Sequence, residues 1–308
     1  MPPRGIAAVR AHLAKLPPAE SVAERRAMYD RAEQVFTVPP DTTVEPVTTG
    51  GRPAEWIRPA GARQDAALLY LHGGGYVIGS PRSHRHLAEA LARAGGVSCL
   101  LPDYRLAPEH PFPAAVDDAL AAYRWLVEEK RIAPGRIAVG GDSAGGGLTV
   151  ATLVAIREAR LPLPGAGVCL SPWTDLTCSG ASYEARAARD PLVTLAGITA
   201  MARAYLGATD ARAPLASPRF ADLRGLPPLL IHVGSEEVLL DDAAGLADRA
   251  RAAGVDATIE VWEQMIHVWH WFLPWLDEAQ AAVDKIGGFL RSRLGAGERI
   301  VESRSAPA

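Results

Sequence analysis

The sequence predicts an α/β protein in which a mostly parallel sheet is covered by helices on both faces. Short apolar runs rich in β-branched residues alternate with longer Ala-, Leu- and Arg-rich stretches of helical period. This alternation is typical of consecutive βαβ units. The length of 308 residues suits one large α/β core with an insertion. The six strand-like runs are AALLYLHGG, GVSCLLPDY, RIAVGGDS, AGVCLSPW, PPLLIHVGS and ATIEVWEQ.

Two segments fall outside this alternation. Residues 1–45 are helix-like and precede the first predicted strand, and residues 180–215 form a helical insertion between two predicted strands. We expect both segments to pack together as a lid over a single domain made of residues 46–179 and 216–296. Residues 297–308 lack periodicity and are expected to fray.

Charge and composition exclude several classes of partner. The formal net charge is −3 and the basic residues are scattered along the chain. The sequence therefore carries no electrostatic footprint for nucleic acid or for an anionic membrane. This charge distribution is more consistent with a small neutral or acyl substrate than with a nucleic acid or a membrane surface. The oligomeric state is left open, a homodimer included.

Cysteine usage and hydropathy predict a cytoplasmic protein. Cys99 and Cys169 lie in apolar strand-like runs, where a reduced thiol behaves as a small hydrophobic side chain. The N-terminal segment MPPRGIAAVRAHLAKLPPAE has charges between its apolar residues. No run approaches the roughly eighteen apolar residues of a membrane-spanning helix. We therefore expect a chain that is neither exported nor anchored in a membrane.

The segment RIAVGGDSAGGGLTVATLVAI carries the strongest functional signal. It predicts an apolar strand, a sharp turn at residues 141–145 and then a helix. In a G-x-S-x-G turn the glycines allow close backbone approach, and the serine hydroxyl is presented at a helix N-terminus. Ser143 is therefore predicted to be a nucleophile, with the N–H group of Ala144 free to bind an anion. A phosphate-binding loop is the alternative, but the segment lacks both the Gly-Lys-Ser/Thr ending and the G-x-G-x-x-G register.

A second glycine-rich turn, at residues 72–75, ends the strand-like run AALLYL. A glycine triplet at a strand end can present N–H groups to a developing oxyanion, where side chains would block a carbonyl substrate. A plain flexible turn is the alternative. Its occurrence about seventy residues before a G-x-S-x-G turn makes the pair more specific than either motif alone.

Three motifs together resemble the bacterial hormone-sensitive-lipase family of carboxylesterases. They are HGGG at 72–75, PDYRLAPEHPFPAA at 102–115 and GGDSAGG at 140–146. The resemblance covers nearly the whole chain from about residue 50 onward. It implies the α/β-hydrolase fold with a helical cap, which the N-terminal helices and the 180–215 insertion would form.

The resemblance also implies where an oxyanion would bind. The donors are expected to be the backbone N–H groups of Gly74, Gly75 and Ala144. His72 would then be structural and fix the loop, and the motif at 102–115 would be a scaffold beside the nucleophile turn.

The order of nucleophile, acid and histidine in this fold places the base after the last predicted strand. The segment ATIEVWEQMIHVWHWFLPWL offers His267 and His270. His267 occupies the loop position where the family carries its catalytic histidine, whereas His270 is expected to line the pocket or to pack. An i, i+3 histidine pair could bind a metal, but no glutamate companion of the H-E-x-x-H type is present, so no metal site is predicted. Some of the neighbouring tryptophans are expected to wall the substrate site.

The orienting acid is expected in the stretch SEEVLLDDA, which follows the strand before the histidine strand. Asp241 and Asp242 precede a helical pattern and are explained by capping and first-turn electrostatics. Glu236 and Glu237 remain, and the residues alone do not separate them. The family pattern, an acid followed by x-Leu-x-Asp, selects Glu237. The family more commonly has aspartate there, so the longer glutamate must be set back from His267.

These residues together predict a serine carboxylesterase that hydrolyses short- to medium-chain esters through an acyl-enzyme, with a triad of Ser143, His267 and Glu237. No metal or organic cofactor is required, and the expected partner is a small ester. A lactonase acting on small cyclic or terpenoid esters is the alternative within chemistry. A non-catalytic small-ligand receptor on the same fold is a further alternative, which the presence of His267 disfavours.

Overall fold

A computed structural model describes residues 4–17, 19 and 21–295, and within them the strands form one eight-stranded sheet. The predicted fray at 297–308 and residue 296 lie outside the described residues. The strands are β1 (Thr43–Thr49), β2 (Arg52–Arg58), β3 (Arg63–Leu71), β4 (Val97–Pro102), β5 (Ile137–Asp142), β6 (Ala166–Leu170), β7 (Leu229–Gly234) and β8 (Ala257–Trp262). The helices are α1 (Ile6–Leu13), α2 (Val22–Asp30), α3 (Ala32–Val35), α4 (Pro81–Gly95), α5 (Ala114–Glu128), α6 (Ala144–Glu158), α7 (Ser182–Ala185), α8 (Leu195–Leu206), α9 (Leu240–Ala252) and α10 (Asp277–Arg293).

The sheet is parallel except at its N-terminal edge. Its strand order is β1-β2-β4-β3-β5-β6-β7-β8. The strands from β4 to β8 along this order pair in parallel, whereas β2 pairs antiparallel with both β1 and β4. All six strand-like runs of the sequence are strands here, so the predicted α/β architecture is confirmed.

The hairpin of β1 and β2 was not predicted. Its turn is Gly50-Gly51, and both glycines have positive φ, 56° and 79°, as a two-residue hairpin turn of this kind requires. β1 reads TVEPVTT, so its alternation is weak and a proline interrupts it. Because β1 begins at Thr43, the first strand starts inside the segment 1–45 that the sequence assigns to the lid.

Helices cover both faces of the sheet. On one face the core includes Val116 of α5, Leu148 of α6 and Leu246 of α9. On the other face it includes Leu91 of α4 and Ile286 of α10. Each such fully buried aliphatic side chain contributes about 1.5–3 kcal/mol relative to an exposed one, and this burial holds the strand ends that carry the site in place.

A third apolar cluster attaches the N-terminal helices to the segment after β8. Val9 of α1 and Phe36, which follows α3, pack with Trp269 and Trp275. The sequence predicted that some of these tryptophans wall the substrate site. Trp269 and Trp275 are buried in this cluster, where they attach the N-terminal segment to the domain, and a wall of the substrate site made by some of the tryptophans stays a prediction.

No helix in the described part of the chain combines the length and the apolar character that crossing a bilayer requires.

Candidate active site

The turn that carries Ser143 is strained and tightly packed. Ser143 lies between β5 and α6 with φ 54° and ψ −120°, a region that residues other than glycine rarely adopt. A methyl group on Gly145 would lie 1.9 Å from the carbonyl oxygen of Leu71, and one on Gly141 would lie 2.3 Å from the same atom. Only glycine therefore fits at these two positions, each two residues from the serine. The Ser143 N–H group donates to the Leu170 carbonyl at 2.8 Å and fixes the turn against β6.

Three side chains far apart in sequence meet beyond the carboxyl ends of the strands. His267 Nε2 lies 3.0 Å from Ser143 Oγ, and His267 Nδ1 lies 2.7 Å from Glu237 Oε2. Ser143 follows β5, Glu237 follows β7 and His267 follows β8, so parallel pairing delivers all three to one edge of the sheet. Ser143 is 9% exposed, His267 6% and Glu237 0%, so all three side chains are largely shielded from water and the acid completely so.

Glu237 is held by three hydrogen-bond donors. Its Oε1 accepts the N–H group of Gly234 at 2.6 Å and the hydroxyl of Ser171 at 2.8 Å, which leaves Oε2 for His267. The extra methylene of glutamate is accommodated because these donors fix the carboxylate at the end of β7. The neighbouring Glu236 instead faces Arg189 at 3.3 Å on the surface. The geometry therefore separates two acids that the residues alone did not.

The electrostatics of His267 suit a base. Burial alone would lower its pKa, but the hydrogen bond and the negative charge of Glu237 outweigh burial, and the pKa is raised above its ordinary value. Glu237 thus favours an imidazole ring that carries its proton on Nδ1 and that readily takes up a second proton on Nε2.

The glycine triplet forms a loop beside Ser143. Gly74 has φ 113° and Gly75 has φ 62°, conformations that favour glycine. Within the described chain, the backbone N–H groups of Gly74, Gly75 and Ala144 have no hydrogen-bond acceptor. All three predicted donors are therefore available to an oxyanion.

Asp142 anchors this loop, a role that the sequence did not reveal. Its Oδ1 accepts the N–H group of Gly73 at 3.0 Å and the hydroxyl of Tyr70 at 2.8 Å, and its Oδ2 lies 3.4 Å from His84 Nε2. The carboxylate is 3% exposed. A charged residue at the end of the otherwise apolar run IAVGGD was the signal that could have identified it.

His72 is placed as a structural residue. Its ring stacks on Tyr104 with centroids 4.2 Å apart, and the Tyr104 hydroxyl donates to the His72 carbonyl at 2.7 Å. Burial lowers the pKa of His72 to about 3, so the ring is neutral. Through Tyr104, the motif at 102–115 thus packs against and hydrogen-bonds the residue that begins the glycine loop.

Comparison with known proteins identifies the family of this chain. A family model described as alpha/beta hydrolase fold matches residues 68–271. A crystal structure of an esterase from the bacterial hormone-sensitive lipase family is 51% identical, covers 93% of this chain and 96% of its own, and has a TM-score of 0.90. The chain belongs to this family of α/β hydrolases.

Other proteins are similar to this chain over nearly their full length. The acetyl-hydrolase of Streptomyces hygroscopicus is 54% identical, over 90% of this chain and 92% of its own. An esterase of Acinetobacter venetianus is 32% identical, over 87% of this chain and 88% of its own. The structure of EstE5 soaked with p-nitrophenyl butyrate is 46% identical, covers 94% of this chain and 98% of its own, and has a TM-score of 0.90. The predicted enzyme class, a carboxylic ester hydrolase, is confirmed by these comparisons.

Asp241 and Asp242 lie in the first turn of α9, as predicted, but the prediction that they cap this helix is wrong. Asp242 lies in the first turn of α9, but its Oδ1 accepts the N–H groups of Thr174 and Asp175 at 2.9 and 2.8 Å. Asp241 Oδ2 accepts the N–H group of Ser182 at 2.9 Å. Neither side chain caps its own helix, because both tie α9 to the segment after β6.

His270 packs against His232 and Trp269. Its Nε2 lies 3.2 Å from His232 Nδ1, and its ring is 3.9 Å from that of Trp269. Burial and the neighbouring His232 lower the pKa of His270 well below its ordinary value. The described residues contain no group of three or more His, Cys, Asp or Glu side chains placed to hold a metal ion.

Proposed function

We propose that this esterase hydrolyses short- to medium-chain carboxylic esters through an acyl-enzyme formed on Ser143. The observation that carries the proposal is the continuous line of hydrogen bonds from Ser143 through His267 to Glu237. His267 Nε2 takes the hydroxyl proton as Ser143 Oγ attacks the ester carbonyl, and Glu237 stabilises the imidazolium that forms. The imidazolium then protonates the departing alkoxide, and water repeats the sequence on the acyl-enzyme.

The oxyanion of each tetrahedral intermediate would be bound by the N–H groups of Gly74, Gly75 and Ala144. These donors are fixed before substrate arrives, since Asp142 holds the glycine loop and Ala144 begins α6. Such preorganised donors stabilise charge only as it develops. The mechanism uses no metal and no organic cofactor.

We further propose that the insertion 180–215 and the N-terminal helices form a cap over this site. A methyl group on Gly75 would lie 2.1 Å from Met201 Sδ of α8, so α8 lies directly against the glycine loop. Tyr205 of α8 stacks on Tyr76 with centroids 3.7 Å apart. From α2, Arg26 Nε donates to the Val77 carbonyl at 2.8 Å.

A closely applied cap favours small acyl groups. Met201 and Tyr205 of α8 lie against the glycine loop and Tyr76 and would narrow the acyl site, so we expect acyl chains of roughly ten carbons or fewer to be preferred. The relatives support this range, because one is named as an acetyl-hydrolase and another was soaked with a butyrate ester.

We also propose a cytoplasmic location, which the free thiols of Cys99, Cys169 and Cys178 support.

The decisive experiment combines a variant with a substrate series. Ser143→Ala should abolish hydrolysis while its melting temperature stays close to that of the wild type, and a serine-directed organophosphate should label Ser143 in the wild type only. Initial rates over p-nitrophenyl esters of increasing acyl length, with small lactones in parallel, define the substrate. Full activity in Ser143→Ala would refute the mechanism, and a maximum on long-chain emulsified lipid would refute the substrate range. Faster turnover of lactones would favour the lactonase alternative.

A further inference from the structure

Ser171 lies behind the proposed triad and touches two of its supporting elements. It follows β6 with φ 45° and is fully buried. Its hydroxyl donates to Glu237 Oε1 at 2.8 Å and accepts the N–H group of Val268 at 3.1 Å. Val268 is the residue directly after His267. One hydroxyl group therefore connects the acid to the loop that carries the base.

The Ser171 backbone keeps this hydroxyl in place. Its N–H group donates to the carbonyl of His232 in β7 at 2.7 Å, which extends the pairing of β6 and β7 by one residue. The side chain thus emerges from the rigid sheet edge at the strand next to that of the acid. A donor held in this way loses little conformational freedom when it binds the carboxylate.

A glutamate needs such a donor more than an aspartate does. Its side chain has one more rotatable bond, so its carboxylate can occupy more positions relative to the imidazole. The Gly234 N–H group holds Oε1 from one side, and the Ser171 hydroxyl holds it from another. With Oε1 fixed by both donors, Oε2 is directed at His267 Nδ1.

We infer that Ser171 is a positioning residue of this esterase, which holds Glu237 and the His267 loop in the geometry needed for proton transfer. The inference rests on the triad proposed above. It predicts that loss of the hydroxyl slows the chemical step and leaves substrate binding nearly unchanged, because Ser171 acts through Glu237 and Val268 and does not face the substrate.

The first test replaces Ser171 by alanine and by glycine. Glycine tolerates φ 45° without strain, so Ser171→Gly removes the hydroxyl even if Ser171→Ala folds poorly. Both variants should lower kcat by about 10- to 100-fold, as removal of a hydrogen-bond partner that orients a metal-binding histidine does in metalloenzymes, with KM changed by less than about threefold. Wild-type kcat in Ser171→Gly would overturn the inference.

Ser217 provides a matched control. It is also fully buried, and its hydroxyl likewise makes two hydrogen bonds, donating to the Ala211 carbonyl at 2.6 Å and accepting the Leu176 N–H group at 2.8 Å. Among the described residues it makes no hydrogen bond with Ser143, His267 or Glu237. Ser217→Ala should lower the melting temperature as Ser171→Ala does but keep wild-type kcat. An equal loss of kcat in both variants would show that Ser171 is merely structural.

A double-mutant cycle with Glu237→Gln completes the test, because residues that act as a unit have strongly non-additive effects. If Ser171 acts through Glu237, Ser171→Ala should cost less than about threefold in the Glu237→Gln background. Full additivity of the two losses would overturn the role of Ser171 and leave the triad standing. Near-wild-type kcat in Glu237→Gln alone would instead overturn the triad itself, so the two failures are distinguishable.

Discussion

Replacement of Glu237 by glutamine should inactivate this esterase by a mechanism that the hydrogen bonds define. Oε1 of the carboxylate accepts two donors, the Gly234 N–H group and the Ser171 hydroxyl. The amide oxygen of glutamine must occupy this position, because the amide nitrogen cannot accept these donors. The amide N–H₂ group would then face His267 Nδ1.

This orientation traps the imidazole in the wrong tautomer. Nδ1 would accept from the amide, so the ring proton would move to Nε2, the atom that must take the proton from Ser143. In a well-studied triad of this kind the equivalent change lowers kcat by about 10⁴-fold. A factor of 10⁴ corresponds to about 5.4 kcal/mol of lost transition-state stabilisation at 1.36 kcal/mol per decade.

The assay is kcat with a p-nitrophenyl ester of short acyl length, with melting temperature measured in parallel. Glu236→Gln is the matched control, because the Glu236 carboxylate makes no hydrogen bond with His267 and faces the Ser235 hydroxyl at 3.5 Å and Arg189, in a surface ion pair worth at most about 1 kcal/mol. It should change kcat by less than about twofold. Near-wild-type turnover in Glu237→Gln, or a collapse of turnover in Glu236→Gln, would refute this reasoning.

Three further predictions concern pH and backbone strain. His267 must be neutral to act as a base and its pKa is raised, so kcat/KM should fall as pH drops through a midpoint above 6.5, and this midpoint should move to lower pH in Glu237→Gln. Burial raises the pKa of Asp242 to about 7, so its contribution to stability is present at low pH and is lost as pH rises towards 7. The free energy of unfolding of Asp242→Asn relative to wild type should therefore increase between pH 5 and pH 8, by on the order of 2 kcal/mol, and an unchanged difference would contradict the shift. Gly75→Ala should lower kcat by about 10²-fold or more, because the added methyl group would clash with Met201 and displace an oxyanion donor. Gly61→Ala is the control, since Gly61 has a similar φ of 75° but open space around it. It should lower only the melting temperature.

Local patterns were sufficient for most of the fold and for the turn that carries the proposed nucleophile. Strands β3 to β8 are apolar runs, and their alternation with helical segments predicts a parallel sheet without knowledge of any contact. Ser143 and the glycine loop were also predictable, because a strained turn and an open set of N–H groups both require glycine at fixed positions. The hairpin of β1 and β2 was missed, since its first strand is half-exposed and contains a proline.

The supporting residues of the site could not be predicted from local patterns. Glu236 and Glu237 are adjacent acids with the same chemistry, and only the direction of the chain after β7 decides which one meets His267. Ser171 contacts residues 66 and 97 positions away in the sequence. Asp190 Oδ2 accepts the N–H group of Val238 at 3.0 Å, across 48 positions. A polar residue that serves a partner so distant leaves no periodic or motif-like trace.

The hydrogen bond of Asp190 restricts where a different cap can be joined to the rest of this protein. Val238 directly follows Glu237, and Ser182 is bonded to the same loop, through its hydroxyl to the Val238 carbonyl and through its N–H group to Asp241. The first part of the insertion, up to Asp190, is therefore tied to the acid loop and belongs with the fixed scaffold. A chimera that exchanges only the segment around α8 keeps these hydrogen bonds. A chimera joined at residue 180 removes them, and we expect Glu237 to be held less firmly whatever substrate the new cap admits.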